Sequence, residues 1–553
     1  MQKLFLTILS LCVLTGCTWG SQSDSFRAST KTQMLKATTT PYGKYPNKIT
    51  YTIAHLTSSN NSNMPSGDTY ENNAYTRYLL KKLNIQNIDT IEASGDQYFD
   101  NIDMSISSKD LPDIMIVNSN EDLQYLVKNN MIEDLSTAYK NCASSRIKAM
   151  YESYGSSILD NVTFNNKLYA MPETNIDDGP NLFWVRQDWL KKLHLSAPHT
   201  LSDVEKIVKA FITKDPGNNG KGKTTGLMVD TQLTAGTGYS SEYLLDLYFA
   251  AYNTYPMQWI KTNGKITYGS IDSSVKKALA HIKALYQAGI IDKNFLLRSD
   301  SNIVDAIEKG TCGSFFGPWW VPNNPLVEAV KSDSSAVWKP YLISTSSSGT
   351  TNYHTLSPST KFVVVKKGFK HPEIIFKIIS VIFDYLRYEN KNVSSINKYY
   401  ALNVDPTARP ISINVDYNDA LHRSYINIKK LLSNQKNITD LITLDTSYAN
   451  ACQSYLSGSS TNKAENWAAY ASRIEALSLL ESDKIKKIKS YYFGQTKTMQ
   501  SEWWKLKNLE NKSYLKIISG EEDLSYFDTF VKKWKAQGGS KITKEVQKEV
   551  NKQ

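Results

Sequence analysis

The stretch DDGPNLFWVRQDWLKKLHL, Asp177 to Leu195, decides the fold because its character changes twice within nineteen residues. An acidic, turn-forming lead-in that ends at Pro180 is followed by a short apolar run, Leu182 to Val185. Apolar residues then recur at helical spacing. A strand that leads into a short helix would place Trp184 and Arg186 at the carboxyl edge of a sheet, where open α/β folds bind their ligands. The stretch therefore predicts a binding site.

The order of strand, polar loop and helix recurs nearer the N-terminus. The run DIMIV, Asp113 to Val117, is predicted to be a buried strand, and a helix is predicted from Glu121. Asn118 and Asn120 lie between them, so they either bind ligand hydroxyls or only cap the helix. This alternation of strands and helices predicts an α/β fold.

A second candidate for the binding site is the run GTCGSFFGPWW, Gly310 to Trp320. Its apolar residues predict a strand that ends at a Gly-Pro turn and presents two adjacent tryptophans, Trp319 and Trp320. Neighbouring side chains of an extended chain point to opposite sides. We therefore expect one tryptophan to face a ligand cleft and the other to pack into the protein, and the sequence leaves open which one. A structural role for both is the alternative.

Three segments of the chain resemble the extracellular solute-binding proteins of family 1, in particular the LplA-like lipoproteins and the alginate-binding proteins. They are NLFWVRQDWLKKLHLSAPHTLSDVEKIVKAF (Asn181–Phe211), GTCGSFFGPWWVPNNPL (Gly310–Leu326) and KWKAQGGSKITKEVQKEVN (Lys533–Asn551). The resemblance implies a periplasmic-binding-protein-like type II α/β fold, in which two lobes are joined by a hinge and hold the ligand between them. It also implies the receptor component of an ABC importer for carbohydrate, with permease subunits and an ATPase as partners.

The N-terminus predicts a lipoprotein signal peptide over residues 1–16. Lys3 precedes an apolar run, Leu4 to Leu14, that is too short to span a bilayer. The tetrapeptide LTGC then matches a lipobox, so Cys17 is predicted to carry a diacylglyceryl group that anchors the protein on the extracellular face of the cell membrane. An ordinary secretory signal that happens to contain a cysteine is the alternative. Residues 17–47, which are rich in Ser, Thr, Lys and Gln, predict a flexible tether.

The remaining body of about 500 residues is too long for a single core and implies two lobes or more. By the resemblance, lobe 1 comprises residues 48–175 and 352–404. Lobe 2 comprises residues 176–351 and 405–553 and has a helix-rich C-terminus. Pro406 and Pro410 make a crossover near residue 405 plausible.

The segment TKDPGNNGKGKTTGL, Thr213 to Leu227, lies where the resemblance implies a calcium loop like that of an EF-hand. Asp215 and Asn219 keep two of the ligand positions, but Gly217, Lys223 and Gly226 stand where three further ligands would be. One carboxylate beside a lysine is a poor calcium cage. We therefore predict no metal and no other cofactor, and interpret the loop as a retained turn.

Composition narrows the function further. The net charge of +11 fits an acidic ligand or attraction to an anionic cell surface, and no motif for nucleic-acid binding is present. Lysine-rich runs such as Lys484 to Lys489 are predicted to be solvated helix faces. Cys142, Cys312 and Cys452 show no CxxC spacing, and we expect small buried apolar residues rather than one disulfide and a free thiol.

The sequence gives no support for a catalytic function. It contains no GxSxG, HExxH or Walker motif, and a glycosidase needs two opposed carboxylates, whereas Asp177 and Asp178 are adjacent. We predict a monomeric receptor that captures an oligosaccharide of undetermined charge. A non-transport glycan-binding surface protein, such as an adhesin or sensor input, is the alternative, ahead of a secreted glycan-active enzyme.

The predicted ligand contacts are of two kinds. Aromatic faces would stack on sugar rings, and polar groups would bind hydroxyls or a carboxylate. For Arg186 a salt bridge to Asp177 or Asp178 is the alternative to ligand binding. The aromatic candidates are Trp184 with Trp319 or Trp320, and the polar ones are Asp178, Arg186, Asn118 and Asn120.

Overall fold

Two sets of buried apolar residues divide the chain. The computed structural model describes residues 20–57, 63–155, 157–236, 241–355, 357–402 and 404–551. One core runs from Ala37 to Met171 and resumes from Phe362 to Val415. The adjoining cores of the second set draw on residues 182–343 and 421–546. The protein therefore has two discontinuous lobes, called lobe 1 and lobe 2 below, which confirms the predicted two-lobe α/β fold.

Strands are distributed over both lobes and sit between helices. In chain order they are β1 (Ile49–Thr57), β2 (Ile85–Ser94), β3 (Ile114–Val117), β4 (Thr163–Phe164), β5 (Lys167–Leu168), β6 (Met171–Pro172), β7 (Leu182–Arg186), β8 (Trp259–Thr262), β9 (Lys265–Tyr268), β10 (Ser314–Gly317), β11 (Trp338–Tyr341), β12 (Thr351–His354), β13 (Phe362–Val365) and β14 (Ile485–Ile488).

Helices make up most of the rest, and turns of π-helix join several of them at Pro322–Leu326, Ser380–Glu389, Ala471–Ala476 and Lys535–Gly539. The α-helices are α1 (Gly20–Thr39), α2 (Ala74–Leu83), α3 (Gly95–Ser108), α4 (Asn120–Lys128), α5 (Ser136–Cys142), α6 (Ser145–Glu152), α7 (Ser157–Asp160), α8 (Gln187–Lys192), α9 (Leu201–Lys214), α10 (Asp246–Ala250), α11 (Val275–Gln287), α12 (Asp300–Glu308), α13 (Val327–Ser332), α14 (Ile374–Ile379), α15 (Ser394–Ala401), α16 (Ala420–Leu432), α17 (Thr443–Leu456), α18 (Lys463–Tyr470), α19 (Leu477–Leu480), α20 (Met499–Ser519), α21 (Tyr526–Trp534) and α22 (Ser540–Val550).

Lobe 1 is built on a five-stranded sheet in the order β2-β1-β3-β13-β6. β1 pairs in parallel with β2 and β3, whereas β13 runs antiparallel to β3 and β6. All four residues of β3 and all four of β13 are buried. Their unbroken runs of branched apolar side chains are typical of strands covered on both faces.

Lobe 2 contains a three-stranded antiparallel sheet with β7 at its centre, between β10 and β11. Phe183 and Val185 belong to one hydrophobic core and Leu182 and Trp184 to another, so the sheet separates two cores. The predicted strand and the short helix α8 are confirmed. The expected carboxyl edge of a parallel sheet is not found here, because both neighbours of β7 run antiparallel to it.

Three segments cross between the lobes, at residues 173–177, 357–361 and 414–418. The first lies between the other two and donates backbone N–H groups to both of them. We call this three-segment unit the hinge. The acceptor carbonyls belong to Pro358 and Lys361 on one side and to Asn414 and Asn418 on the other, at N···O distances from 2.8 to 3.3 Å.

The lobe boundaries differ from the predicted ones in two places. β12 pairs with β14, so residues 351–354 lie with lobe 2 rather than opening the second part of lobe 1. Ile411 and Ile413 pack in the core of lobe 1, and the hydroxyl of Ser412 donates to the carbonyl of Leu56 at 2.6 Å. Prolines near residue 405 therefore mark a turn within lobe 1, and the crossing follows about ten residues later, at 414–418.

Part of the predicted tether is packed against lobe 1. Ala37 and Tyr45 are buried, and the hydroxyl of Tyr45 donates to Glu373 at 2.6 Å. The buried ammonium group of Lys377 donates to the carbonyls of Ala37 and Thr40, both at 2.8 Å. Composition could not predict this, because the partners that satisfy the C-terminal end of α1 come from a distant helix. Cys17 lies outside the described residues.

Cys142, Cys312 and Cys452 are buried and unpaired, which confirms the interpretation of these residues as small apolar side chains. Burial raises the pKa of the Cys142 thiol to about 11 and that of the Cys312 thiol to about 12, so both stay protonated at neutral pH. In the described part of the chain, no helix combines the length and apolar character needed to cross a membrane.

Candidate ligand-binding site at the hinge

The first hinge segment ends at Asp177, Asp178 follows directly, and the two carboxylates have different partners. Asp177 accepts hydrogen bonds from the hydroxyl of Tyr353 at 3.0 and 3.1 Å and forms an ion pair with the ammonium group of Lys487 at 2.5 Å. Tyr353 and Lys487 are direct neighbours on β12 and β14. Asp177 thus ties the hinge to this two-stranded sheet and has little capacity left for a ligand.

Asp178 faces the other way and is the better candidate for ligand binding. Its Oδ1 atom accepts a hydrogen bond from the indole N–H of Trp319 at 2.9 Å. Solvent reaches the residue in part. Desolvation by the surrounding protein and the charge of Asp177 together raise the pKa of Asp178 to about 6, although the hydrogen bond from Trp319 lowers it.

Tyr154 approaches this carboxylate from lobe 1. Burial raises the pKa of its phenol, and the charges of Asp416, Asp178 and Asp177 contribute to the shift, so the ring lies within electrostatic reach of the hinge. Its hydroxyl is buried and has no hydrogen-bonding partner. Tyr154 thus lies on the lobe 1 side of the hinge, close to Thr174 and within electrostatic reach of Asp178.

The two adjacent tryptophans lie in a turn after β10 rather than in an extended strand, and both pack against the same core of lobe 2. Trp319 is only 7% exposed and packs in a core of lobe 2, where the guanidinium of Arg473 lies 4.6 Å from its ring centroid. Arg473 also lies 3.9 Å from the ring centroid of Tyr448. Trp320 remains partly exposed. Trp320 is therefore the more exposed of the two, and it stays a candidate for ligand binding.

Trp184 does not have the predicted place at a cleft. Its side chain is 0% exposed, and its indole N–H donates to the carbonyls of Gly317 and Pro318, both at 3.2 Å. The central position of β7 explains this burial, because helices and loops cover both faces of the strand. Trp184 is a core residue.

Arg186 adopts neither of the two predicted arrangements. Its guanidinium forms a bidentate pair with Asp188 at 2.8 and 2.7 Å and a third contact with Asp333 at 3.2 Å. Its side chain is 6% exposed and lies against the ring of Trp189. All its charge-assisted contacts are therefore intramolecular, and Arg186 joins the start of α8 to the end of α13.

Neither asparagine after β3 caps the following helix. The N-cap of α4 is Ser119, whose hydroxyl accepts from the backbone N–H of Asp122 at 3.0 Å. Asn118 is exposed, and the Oδ1 atom of Asn120 is buried without a hydrogen-bonding partner. An unsatisfied acceptor keeps Asn120 a candidate for ligand binding.

The loop that resembles a calcium site is held by its own hydrogen bonds. The carboxylate of Asp215 accepts from the backbone N–H groups of Asn219 and Gly220 at 3.0 and 2.8 Å and from the hydroxyl of Thr224 at 2.5 Å. These donors hold the pKa of Asp215 below its usual value. The side chain of Asn219 donates to Thr224 and to the carbonyl of Gly310. Across the described residues, no group of three or more His, Cys, Asp or Glu side chains is placed to hold a metal ion.

Sequence reasoning missed Tyr154, Tyr353, Lys487 and Arg473. Tyr353 lies in a polar stretch that gave no strand signal, and Lys487 lies in a lysine run predicted to be a helix face. That run instead contains β14, which pairs in parallel with β12. Tyr353 and Lys487 lie 176 and 310 positions from Asp177, and Arg473 lies 154 positions from Trp319, so no local pattern could reveal these contacts.

Comparison with solved structures identifies the class of protein. The fold is similar to that of the alginate-binding protein AlgQ2 without calcium ion, with a TM-score of 0.61 and 14% identity over 92% of this chain and 98% of that one. It is also similar to the Streptococcus pneumoniae substrate-binding protein FusA in complex with kestose, with a TM-score of 0.60 and 16% identity over 91% and 99% of the two chains. The fold is that of a two-lobe solute-binding protein.

Sequence comparison then gives the family. Residues 75–357 match the family described as Bacterial extracellular solute-binding protein, and since this is just over half of the 553 residues, the chain belongs to that family. It is 34% identical to Lipoprotein LipO of Bacillus subtilis (strain 168) over 156 residues, which are 28% of this chain and 30% of the relative. The aligned stretch thus covers only about a third of that relative.

Proposed function

We propose that the protein is the membrane-anchored receptor of an ABC-type importer and captures an oligosaccharide between its two lobes. Membership of the extracellular solute-binding family supports a role in solute capture. The observation that carries the choice of a sugar is the pairing of the Asp178 carboxylate with the indole N–H of Trp319 beside the partly exposed Trp320. Carboxylates accept sugar hydroxyls, and aromatic faces stack on pyranose rings.

The hinge supplies the motion that capture requires. Three crossing segments hold the lobes together through backbone hydrogen bonds, and rotation about a few such residues closes two lobes around a ligand. Tyr154 of lobe 1 would then complete the site that Asp178 begins. Closure would also form the surface that the permease subunits recognise, and the receptor would act as a monomer without catalysis.

Anchoring completes the proposal. The lipobox predicts that signal peptidase II cleaves before Cys17 and that the acylated cysteine holds the protein on the extracellular face of the membrane. Two acyl chains are needed for stable anchoring, since a single chain holds only marginally. The name of the relative LipO supports a lipoprotein.

The candidate ligands are of two classes, acidic glycans and neutral glycans. The similar folds belong to one protein named for alginate, an acidic glycan, and to one solved with kestose, a neutral one. Arg186 is committed to Asp188 and Asp333, and Asp177 and Asp178 place acidic groups at the hinge. This charge distribution favours a neutral glycan, whose hydroxyls donate to carboxylates.

Thermal unfolding and isothermal titration of the purified protein against kestose, other neutral oligosaccharides and alginate oligosaccharides test the proposal. A ligand held at 100 times its dissociation constant stabilises the protein by about 2.7 kcal/mol. Trp320→Ala should weaken binding, whereas Trp504→Ala, at a 59% exposed tryptophan of α20, should not. Absence of any glycan-induced shift, or the release of new reducing ends, contradicts the proposal.

A further inference from the structure

A second polar pocket lies behind β12. Tyr353 points from this strand toward Asp177 of the hinge. Asn352 and His354, one position before and one after it, project to the opposite face, because side chains alternate along a strand. There they meet α10 and the loop that follows it. We call the group Asp246, Tyr255, Asn352 and His354 the β12 pocket.

The β12 pocket contains polar atoms without partners. The hydroxyl of Tyr255, the Oδ1 atom of Asn352 and the Nε2 atom of His354 are buried and make no hydrogen bond in the structure. The three residues are only 7%, 6% and 7% exposed. Thr254 and Gln258 of the same loop add two more unpaired oxygens. Unpaired buried polar groups are costly, and such a concentration indicates that another molecule satisfies them.

The members of the pocket are close to one another. The Nδ1 atom of His354 lies 3.9 Å from the Oδ1 atom of Asp246. The Asn352 amide lies near enough to the Tyr255 phenol to counteract part of the rise that burial causes in the pKa of Tyr255. The side chain of Asp246 is 20% exposed, so the pocket is open to solvent at that edge.

The protonation of His354 decides what the pocket can bind. Burial lowers the pKa of His354, although the nearby Asp246 opposes this effect, so the imidazole is neutral at neutral pH. With its proton on Nδ1, toward Asp246, the ring presents a lone pair at Nε2. Asn352 Oδ1 is a second acceptor. Two acceptors beside a carboxylate suit hydroxyl donors and disfavour a sugar carboxylate.

We propose that the β12 pocket is a subsite for a neutral, hydroxyl-bearing sugar residue, in which Asn352 and His354 accept hydrogen bonds from ring hydroxyls and Tyr255 contributes its phenol. This inference rests on the proposed function and adds a second contact region to the Asp178 site. His354 lies three residues before the second crossing segment of the hinge, residues 357–361, so a sugar bound here would lie near the start of that segment.

Three variants test the subsite by isothermal titration with the neutral and acidic oligosaccharides named above. Tyr255→Phe and Asn352→Leu each remove an unpaired polar group, and each should weaken binding of a neutral oligosaccharide about tenfold. The same changes should leave the melting temperature of the free protein unchanged or raise it. Tyr248→Phe removes another unpaired buried hydroxyl, one that faces His281 and Phe316, and is the matched control.

The outcomes separate this inference from the proposed function. Binding by the wild type that Tyr255→Phe and Asn352→Leu leave unchanged would mean that the pocket holds ordered water only, and would overturn the subsite while the proposed function stands. Binding restricted to acidic oligosaccharides would also overturn it. Failure of the wild type to bind any of the glycans overturns the proposed function and the subsite together.

Discussion

The indole N–H of Trp319 donates to the carboxylate of Asp178 at 2.9 Å, and this bond joins the turn after β10 to the residue that directly follows the first crossing segment of the hinge. A charged acceptor makes the bond stronger than a neutral one. Because Trp319 is itself packed in the core of lobe 2, the carboxylate is held in a fixed direction. Asp178 thus presents its second oxygen from a rigid support.

The first prediction concerns Asp178→Asn. The amide keeps an acceptor for Trp319 but loses the charge that strengthens bonds from sugar hydroxyls, so affinity for a neutral oligosaccharide should fall about tenfold at pH 8. Since the pKa of Asp178 is raised to about 6, the wild type should lose affinity as the pH falls through 6, whereas the variant should not. Titration calorimetry at pH 5 and pH 8 measures both effects. Equal affinities of the two proteins at pH 8 contradict the assignment.

The elements of the sheets could be predicted because their sequences are unbroken apolar runs. DIMIV and LFWVR became β3 and β7 within one residue of the predicted bounds. Such runs indicate burial on both faces without regard to neighbours. The direction of the neighbouring strands could not be predicted in this way, because it depends on segments such as β10 and β11 that lie far along the chain.

The site could be predicted only in part, and Trp184 shows why. A tryptophan in an apolar run has the same local pattern whether it faces a cleft or a core, and the antiparallel partners of β7 decided for the core. Arg186 was predicted to choose between the ligand and the nearest upstream carboxylates. Its partners are instead Asp188 and Asp333, and the second is 147 positions away. Asp178 and Trp319 are joined by a hydrogen bond, and their role in ligand binding stays a prediction.

The second prediction uses Arg186→Lys. Lysine keeps the charge but cannot reproduce the bidentate contact with Asp188, so lobe 2 should lose about 1–2 kcal/mol of its free energy of unfolding. The two carboxylates are 28% and 45% exposed, which keeps the loss below that of a fully buried pair. Urea unfolding measures the change. Affinities for acidic and neutral glycans should change alike, and a selective loss of the acidic one would restore Arg186 to the ligand site.

The third prediction concerns the anchor. Cys17→Ser should leave the fold intact, because the first described side chains that pack against the core of lobe 1, those of Met34 and Ala37, lie well beyond this residue. Without acyl chains the protein should be released into the medium or remain unprocessed. Cell fractionation and labelling with a fatty-acid analogue report the result. A variant that is still acylated and membrane-bound shows that the lipobox assignment is wrong.

The fourth prediction concerns the loop around Asp215. Since three protein donors occupy its carboxylate, addition of EDTA or calcium should leave the melting temperature unchanged. Asp215→Ala should lower the melting temperature, because the N–H groups of Asn219 and Gly220 lose their acceptor. Asp483→Ala, at an exposed carboxylate, is the control. Destabilisation by EDTA that calcium reverses would establish a metal site.

The fifth prediction concerns Glu510 of α20, which is 4% exposed and accepts a hydrogen bond from the hydroxyl of Tyr268 at 2.9 Å. Burial raises its pKa to about 7, although the hydrogen bonds from Ser270 and Tyr268 oppose the shift. Between pH 4.5 and 7 the folded protein therefore holds a proton that the unfolded chain releases. By linkage, the contribution of Glu510 to stability is complete below about pH 4.5 and is lost as the pH rises through 7.

Glu510→Gln replaces the titrating carboxyl group by a neutral amide, whose oxygen can still accept the hydrogen bond from Tyr268. The variant and the wild type should therefore be similarly stable near pH 4.5, and at pH 8 the variant should be the more stable by about 3 kcal/mol. Urea unfolding followed by tryptophan fluorescence at the two pH values measures the difference, with the exposed Glu521→Gln as control. A difference that is the same at both pH values would mean that Glu510 is ionised in the folded protein, and its burial would then have to be balanced by the hydrogen bonds alone.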